Sequence, residues 1–128
     1  MKILIVAPNQ APQPAEITGT LEEMQQIVGG LIDAVYPFAE PVALICNDEG
    51  KLLGMPLNRA LYDPDTDKMY DTIAGTFFLC GCSPESDCFT SLSEEQVTRY
   101  AKCFHDPETF IRVGNEVVAL PLRKEASK

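Results

Sequence analysis

The sequence predicts an α+β fold, with one domain built on a mixed, mostly antiparallel sheet of about five to seven strands and two amphipathic helices. Three observations support this prediction. Short apolar runs recur between turn residues, and two segments instead show helical spacing behind capping signals. The length of 128 residues suits one domain, and 45% hydrophobic with 23% charged residues suits a folded core. We expect both helices on one face of the sheet.

The amino-terminal segment is predicted to form a strand and a second, short strand that pairs with it. Lys2–Ala7 is apolar and β-branched, which is typical of a buried strand. The loop Gln10–Pro14 contains two prolines, which have no N–H to donate to a sheet. We therefore expect the chain to return beside the first strand only at Ala15–Thr18.

Both helices are predicted from capping boxes. In the first, Thr20 and Glu23 stand three residues apart, and Gly29-Gly30 ends the helix. In the second, the sequence Ser93-Glu94-Glu95-Gln96 begins the helix, and Asp106-Pro107 ends it. The helical spacing places these residues on the apolar faces: Leu21, Met24 and Val28, then Val97, Tyr100, Ala101 and Phe104.

Most of the remaining elements are predicted as strands, namely Leu31–Phe38, Val42–Cys46, Lys51–Gly54, Ile73–Cys82, Thr109–Val113 and Glu116–Leu120. Lys51–Gly54 is expected to pair back across the turn Asn47–Gly50, with Gly50 at positive φ. Ile73–Cys82 is apolar on both faces, which predicts a central strand covered on both sides or shared at a dimer edge. Leu57–Leu61 is expected as a helical turn or loop, and Asp63–Lys68 as a polar surface loop.

Residues 1–122 are assigned to the single α+β domain, and residues 123–128 to a charged carboxy-terminal tail. No apolar run approaches the roughly 20 residues of a membrane span, so no membrane contact is expected. The run after Met1-Lys2 stops at Pro8-Asn9-Gln10, before the about 7–15 apolar residues of a signal peptide. We therefore expect a cytoplasmic protein.

The charge balance limits the classes of partner that the protein is expected to bind. The net charge is -9 and the sequence pI is about 4.4. Because nucleic-acid binding needs clustered Lys and Arg, no direct nucleic-acid binding is expected. Besides a solvated acidic surface, two interpretations stay open: contact with a basic protein partner, and an acidic surface that imitates nucleic acid.

Five cysteines, an odd number, are predicted to be reduced and mostly buried thiols. The alternative is a zinc site drawn from Cys80, Cys82, Cys88 or Cys103, and His105, since four such ligands suit tetrahedral Zn²⁺. Their spacing differs from the usual C-x-x-C pattern. We therefore expect neither a bound metal nor a cofactor.

The candidate binding residues lie within Asn47–Ala60. Asn58 and Arg59 follow a proline in an expected loop, where a guanidinium can fork onto a carboxylate or phosphate. Asn47 and Lys51 complete the candidate set. The structural alternative is that Arg59 is neutralised by one of the 19 acidic residues and that Asn58 caps a turn.

Motifs for catalysis are missing from the sequence. His105 is the single histidine, and the chain contains no G-x-S-x-G, P-loop or G-x-G-x-x-G pattern. The chain has no Trp, so any aromatic binding platform has to come from Tyr or Phe. An enzyme is therefore not the favoured interpretation.

Several strings together form a distinctive pattern: Ile27-Val28-Gly29-Gly30, Val35-Tyr36-Pro37-Phe38, Ala43-Leu44-Ile45-Cys46-Asn47, Gly50-Lys51-Leu52, Leu57-Asn58-Arg59-Ala60-Leu61, Ile73-Ala74-Gly75-Thr76-Phe77-Phe78 and Phe89-Thr90-Ser91-Leu92. This pattern resembles the uncharacterised bacterial and phage family known as domain of unknown function 3846. The resemblance implies a small stand-alone module, often carried on phages and mobile elements, with no assigned activity or catalytic residues.

Three functions follow as hypotheses. The first is a non-enzymatic protein-binding or regulatory module whose partner is another protein. The second is an acidic nucleic-acid mimic that inhibits a DNA-binding host protein. The third is a small-ligand-binding protein or enzyme that uses the Asn58-Arg59 loop; a deep pocket holding a group with a perturbed pKa favours this third function.

Overall fold

The computed structural model describes residues 1–63, 65–83, 85 and 88–121. Within these residues the elements are, in chain order, β1 (Lys2–Val6), β2 (Gln13–Glu16), α1 (Leu21–Val28), β3 (Ile32–Val35), β4 (Val42–Asn47), β5 (Leu57–Tyr62), β6 (Met69–Ala74), β7 (Phe77–Cys82), β8 (Phe89–Thr90), α2 (Glu94–Cys103), β9 (Glu108–Val113) and β10 (Glu116–Pro121). The predicted α+β class with two helices is confirmed.

A six-stranded sheet forms the centre, in the order β2-β1-β7-β4-β3, with β8 paired to β7. Strand β5 pairs with β6, and β9 pairs with β10, as two separate ribbons. All of these pairings are antiparallel. The predicted hairpin at Gly114-Asn115 is confirmed, since Val113 and Glu116 face each other across it.

Strand β7 is the predicted central strand, and both of its faces are covered. On one face, Phe77 and Leu79 pack with Tyr100 and Phe104 of the α2 segment. On the other face, Phe78 and Cys80 pack with a set of residues from α1 and the sheet, which includes Met24 and Val28. The expectation of both helices on one face was wrong, because an apolar sheet with two buried faces needs a cover on each.

The helix caps explain where the two helices start. The Ser93 hydroxyl accepts from the Gln96 N–H, and the Gln96 side chain accepts from the Ser93 N–H, so the predicted capping box is confirmed. The Thr20 hydroxyl likewise accepts from the Glu23 N–H. The Glu23 carboxylate reaches the N–H groups of Thr18 and Gly19, which lie just before the cap.

The predicted single strand Ile73–Cys82 is in fact the end of β6 and all of β7. Gly75 breaks it with φ of +81°, in the left-handed region where a side chain is strained. The Gly75 N–H donates to the Pro56 carbonyl, which holds the turn against the start of β5. The prediction failed because apolar residues continue through the turn.

The segment Lys51–Gly54 does not pair back as a strand. It forms a tight turn, in which the Leu53 N–H donates to the Glu49 carbonyl and the Met55 N–H to the Gly50 carbonyl. Positive φ occurs at Gly54 and not at Gly50. Gly50 is needed for close approach, because a Cβ there would lie 2.8 Å from the Ala74 carbonyl oxygen.

Two smaller expectations were also wrong. Gln13 and Pro14 belong to β2, with Pro14 opposite Leu4, because an edge strand tolerates a residue without an N–H. Leu21, expected on the apolar face of α1, is 54% exposed.

The predicted tail 123–128 and residue 122 lie outside the described residues. No helix in the described part of the chain is long and apolar enough to cross a membrane.

Candidate functional site

Asn58 and Arg59 lie on strand β5, and the prediction that they occupy a loop or helical turn was wrong. The string Leu57-Asn58-Arg59-Ala60-Leu61 does not alternate between apolar and polar residues, so the sequence showed no strand pattern here. Asn58 has no exposed surface, and Arg59 is 2% exposed. The ribbon of β5 and β6 therefore packs both side chains into the interior.

The Arg59 guanidinium connects three parts of the chain. Its Nε and Nη2 donate to the Phe104 carbonyl at 3.1 and 2.9 Å, and Nη2 also donates to the Gln10 carbonyl at 2.7 Å. Its Nη1 donates to the Asn58 carbonyl and to Asn58 Oδ1. These contacts match the five N–H groups of arginine, and every acceptor among the described residues is an uncharged oxygen.

The Asn58 side chain, like that of Arg59, is fixed by several hydrogen bonds. Its Nδ2 donates to the Val6 carbonyl at 2.8 Å and to the Gly75 carbonyl at 2.9 Å, while its Oδ1 accepts from Arg59. The side chain thus links the end of β1, the β6–β7 turn and β5. Both amide hydrogens and the amide oxygen have partners, as a buried amide requires.

Arg59 also lines a cavity of about 320 Å³ between the segment before β4, the β5–β6 ribbon and the end of α2. Five of its 13 lining residues are aromatic, and we refer to it as the aromatic cavity. The lining residues are Pro37, Phe38, Ala39, Arg59, Ala60, Leu61, Tyr62, Tyr70, Tyr100, Cys103, Phe104, Asp106 and Glu108. Tyr62 is 42% exposed and Tyr70 is 57% exposed, while Tyr100 and Phe104 are buried.

Charge in this cavity comes from one guanidinium and two carboxylates. Burial lowers the pKa of Arg59, and the nearby carboxylates of Glu108 and Asp106 raise it in part. Glu108 Oε1 accepts from the Ala60 N–H at 2.6 Å, and Oε2 accepts from the Tyr62 hydroxyl at 3.3 Å. Burial and the Glu108 carboxylate together raise the pKa of Tyr62.

One wall of the cavity is held by a network around Glu40. The Glu40 carboxylate accepts from Arg99, from the Tyr100 hydroxyl at 2.6 Å and from the Gln96 amide at 3.0 Å. These hydrogen bonds lower the pKa of Glu40 to about 2, and the one from Arg99 makes the largest contribution. Phe38 lies next to the Tyr100 ring, with the ring centroids 4.7 Å apart. The network thus ties α2 to the segment that precedes β4.

The other two predicted binding residues, Asn47 and Lys51, line a separate cavity of about 200 Å³. Asn47 Nδ2 donates to the Val28 carbonyl at the end of α1, and its Oδ1 accepts from the Glu49 N–H. Lys51 Nζ lies 2.9 Å from Asp71 Oδ1, in an ion pair whose side chains are about half exposed. The structure therefore separates the four predicted residues into two locations, and their binding role stays a prediction.

The residues of the alternative zinc site do not come together. Cys80 packs on the α1 face of the sheet, with Cys82 against the same cluster. His105 follows Phe104, which packs on the opposite face, and its Nδ1 lies 2.9 Å from Asp106 Oδ1. Among the described residues, no three His, Cys, Asp or Glu side chains are grouped to hold a metal ion.

The sequence prediction did not include the aromatic residues of the aromatic cavity as binding residues, nor did it include Glu108. Tyr62, Tyr70 and Tyr100 are three of the four tyrosines in the chain, yet they are far apart in the sequence. Only the pairing of β5 with β6 brings Tyr62 close to Tyr70. The one available signal was the lack of Trp, which left Tyr and Phe as the possible aromatic platform.

Comparison with known proteins gives the family. A family profile described as Domain of unknown function (DUF3846) matches residues 1–105. The chain belongs to the DUF3846 family. In this DUF3846 member, the matched region contains the central sheet and both helices, while Asp106, Glu108 and the β9–β10 ribbon follow it. No curated protein and no solved structure gives a significant match to the chain.

Proposed function

We propose that this domain is a non-enzymatic, cytoplasmic protein-binding module whose aromatic cavity receives one side chain of its partner. The observation that carries the proposal is the aromatic wall of that cavity, with the Tyr62 and Tyr70 rings partly exposed at 42% and 57%. Tyrosine is enriched at the centres of protein interfaces, because its ring offers a large contact area and its hydroxyl a hydrogen bond.

The size and support of the cavity fit this role. Its volume of about 320 Å³ lies near the lower end of the about 300–1,000 Å³ range of ligand pockets, so it suits one compact group. Several of its walls are fixed by hydrogen bonds, with Arg59 bound to the end of α2 and Glu40 bound to Tyr100. A preformed site of this kind loses little conformational entropy when it is filled.

A second candidate function is the binding of a free small ligand in the same cavity. The specific observation in its favour is that Arg59, whose pKa is lowered by burial, lies in the cavity wall. Groups with perturbed pKa values inside pockets are more common at functional sites than elsewhere. We place this candidate second, because the N–H groups of Arg59 already have acceptors within the chain.

A matched pair of tyrosine variants tests the proposal. Tyr70 and Tyr36 are 57% and 61% exposed, but only Tyr70 lines the cavity. The partner is first isolated from the native host with the wild-type domain, identified and purified. We expect Tyr70→Ala to weaken binding of the purified partner by about tenfold or more, as for an aromatic interface residue, and Tyr36→Ala to leave it unchanged.

Melting temperatures of both variants, measured beforehand, control for folding. Equal binding by Tyr70→Ala and wild type would show that partners contact another surface, and the cavity proposal would be abandoned. Binding of a small molecule by the wild type, with competition between it and the partner, would instead support the second candidate function.

A further inference from the structure

The aromatic cavity combines aromatic rings with carboxylates in a way that favours one chemical class of occupant. Four aromatic residues with different exposure line it: Tyr62 and Tyr70 are partly exposed, Phe38 is half-buried and Tyr100 is buried. Asp106 and Glu108 line the same cavity. Ring faces attract cations through their negative π-electron density, and neighbouring carboxylates strengthen that attraction.

We propose that the occupant is a cationic side chain, namely an arginine presented by a basic partner protein. This inference rests on the proposed protein-binding function and specifies its partner. The net charge of -9 supports it at the scale of the whole chain, since a basic partner is attracted over a distance before any contact forms.

Glu108 supplies the directional contact for that arginine. Among the described residues, its Oε1 accepts one N–H, from Ala60, and its Oε2 accepts one hydroxyl, from Tyr62, at 3.3 Å. An ionised carboxylate has about four acceptor positions, so two directions remain for a guanidinium. A planar guanidinium can bind such a carboxylate through parallel N–H groups and stack on a tyrosine ring at the same time, which an ammonium cannot do.

An anionic occupant is disfavoured despite the presence of Arg59. The Nε and both Nη atoms of Arg59 donate to the carbonyls of Phe104, Gln10 and Asn58 and to the Asn58 amide oxygen. A carboxylate or phosphate would have to displace these acceptors, which on Phe104 and Asn58 are buried, and would then lie beside Glu108 and Asp106. Both effects oppose its entry.

Both carboxylates of the cavity come from the segment that follows the family-matched region. The family match ends at residue 105, so Asp106 and Glu108 both lie beyond it. Glu108 is the first residue of β9 and reaches the backbone of β5 at Ala60. The β9–β10 ribbon therefore brings the proposed cation-binding carboxylate to a cavity whose aromatic residues belong to the family-matched region.

Tyrosine fluorescence offers a direct measurement, because the chain has no Trp and four Tyr, of which Tyr36 alone does not line the cavity. In a Tyr36→Phe background, all emission comes from cavity tyrosines. The probes are peptides Gly-Gly-X-Gly-Gly with X as Arg, Lys, Leu or Glu. We expect the Arg peptide to bind at least about tenfold more tightly than the Leu and Glu peptides, and more weakly as salt is raised.

Glu108→Gln keeps an acceptor for Ala60 and removes the charge, and Glu116→Gln makes the same change at an exposed site on the same ribbon. We expect Glu108→Gln to weaken binding of the Arg peptide by about tenfold and Glu116→Gln to leave it unchanged. Equal binding of the Arg and Leu peptides, unaffected by Glu108→Gln, would overturn the cation inference while leaving side-chain binding in the cavity intact.

Two further outcomes separate this inference from the proposed function. Binding of the Arg peptide that survives both Tyr70→Ala and Glu108→Gln would place the peptide outside this cavity and would overturn the cationic occupant, whereas the proposed function is decided by the binding of the purified partner. If the purified partner depends on Tyr70 but no Arg or Lys peptide binds, the protein-binding function stands and the cationic occupant is wrong.

Discussion

Arg59 shows how a residue that looks available in sequence can be fully engaged in the structure. It is 2% exposed and donates to the carbonyls of Phe104 and Gln10 and to the Asn58 side chain. The Phe104 carbonyl lies at the end of α2, where helix carbonyls lack partners within the helix. Arg59 therefore joins α2, β5 and the loop after β1, and it stabilises the position of each relative to the others.

Replacement of Arg59 should reduce the free energy of unfolding. Arg59→Ala leaves the acceptors on Phe104, Gln10 and Asn58 without their donor, and those on Phe104 and Asn58 are buried, so we expect a loss of about 3 kcal/mol in urea unfolding. Arg112→Ala is the control, since Arg112 is exposed on β9, and its effect should stay below about 0.5 kcal/mol. Similar stabilities for the two variants would contradict the connecting role of Arg59.

At this scale the sequence predicted which residues are unusual but not what they do. Asn58 and Arg59 stood out because polar residues interrupt an apolar context. Their partners at Val6, Gln10, Gly75 and Phe104 are separated from them by 17 to 52 positions, and no local pattern reports such contacts. The aromatic cavity was missed for the same reason.

At the scale of elements, the turn at Gly75 separates two strands that the apolar pattern joined. Gly75 and Gly54 both have positive φ, of +81° and +74°. A Cβ at Gly75 would lie 2.8 Å from Met55 Sδ, whereas a Cβ at Gly54 would have nothing within 4 Å. The two glycines thus share a backbone conformation and differ in their surroundings.

This pair allows backbone strain to be separated from crowding. We expect Gly54→Ala to lower the free energy of unfolding by about 1 kcal/mol through strain alone. Gly75→Ala should cost about 2 kcal/mol, because the Met55 side chain must also move. Chemical denaturation of both variants checks this, and a larger loss for Gly54→Ala than for Gly75→Ala would argue against the described turn.

The contact between α2 and the segment before β4 should depend on pH through Glu40. The pKa of Glu40 is lowered from 4.5 to about 2, so ionised Glu40 stabilises the folded state above pH 4.5. This contribution is lost as the pH falls through about 2. Since Glu40 and Arg99 are partly exposed, we expect it to be about 1 kcal/mol at neutral pH.

The difference in unfolding free energy between wild type and Glu40→Gln isolates this contribution from the other acidic residues. We expect that difference to be largest at about pH 7 and to shrink towards about pH 3 as Glu40 in the unfolded chain becomes protonated. A difference that stays constant or grows on acidification would show that the charge of Glu40 is not responsible.

Elements with a strong local signal were predicted well. Both helices start at their predicted caps, because a cap depends on residues within one turn, and the β9–β10 hairpin follows its Gly114-Asn115 turn. Strand β5 was not recognised because burial by distant elements, and not its own alternation, makes Asn58 and Arg59 interior residues. The burial of Asn58 and Arg59 in β5 is thus determined by tertiary packing and not by local sequence propensity.

On the scale of the whole molecule, labelling of Cys46 and Cys80 can detect opening of the core on the two faces of the sheet. Cys46 belongs to the cluster on the α2 face and Cys80 to the cluster on the α1 face. Burial raises the pKa of Cys46 to about 11 and that of Cys80 to about 12, so both remain protonated and unreactive at neutral pH. Their labelling therefore requires the core to open.

We expect iodoacetamide to leave Cys46 and Cys80 unmodified in the native protein and to label both in urea, as mass spectrometry of digested samples would measure. Because the two clusters share the strands of one sheet, both thiols should become reactive at the same urea concentration. Labelling of one before the other would reveal that the two faces of the sheet open separately.

The position of β7 in the sheet also has a consequence for the order of folding. β1 pairs with β2, and β3 pairs with β4, as hairpins close in sequence. In the described part of the sheet, β7 lies between the two hairpins, and its Leu79 faces both Leu4 and Leu44. During synthesis, residues 1–76 leave the ribosome before the strand that joins the two hairpins. The rate-limiting step should therefore be the insertion of Phe77–Cys82 between the hairpins, which non-local pairing makes slow.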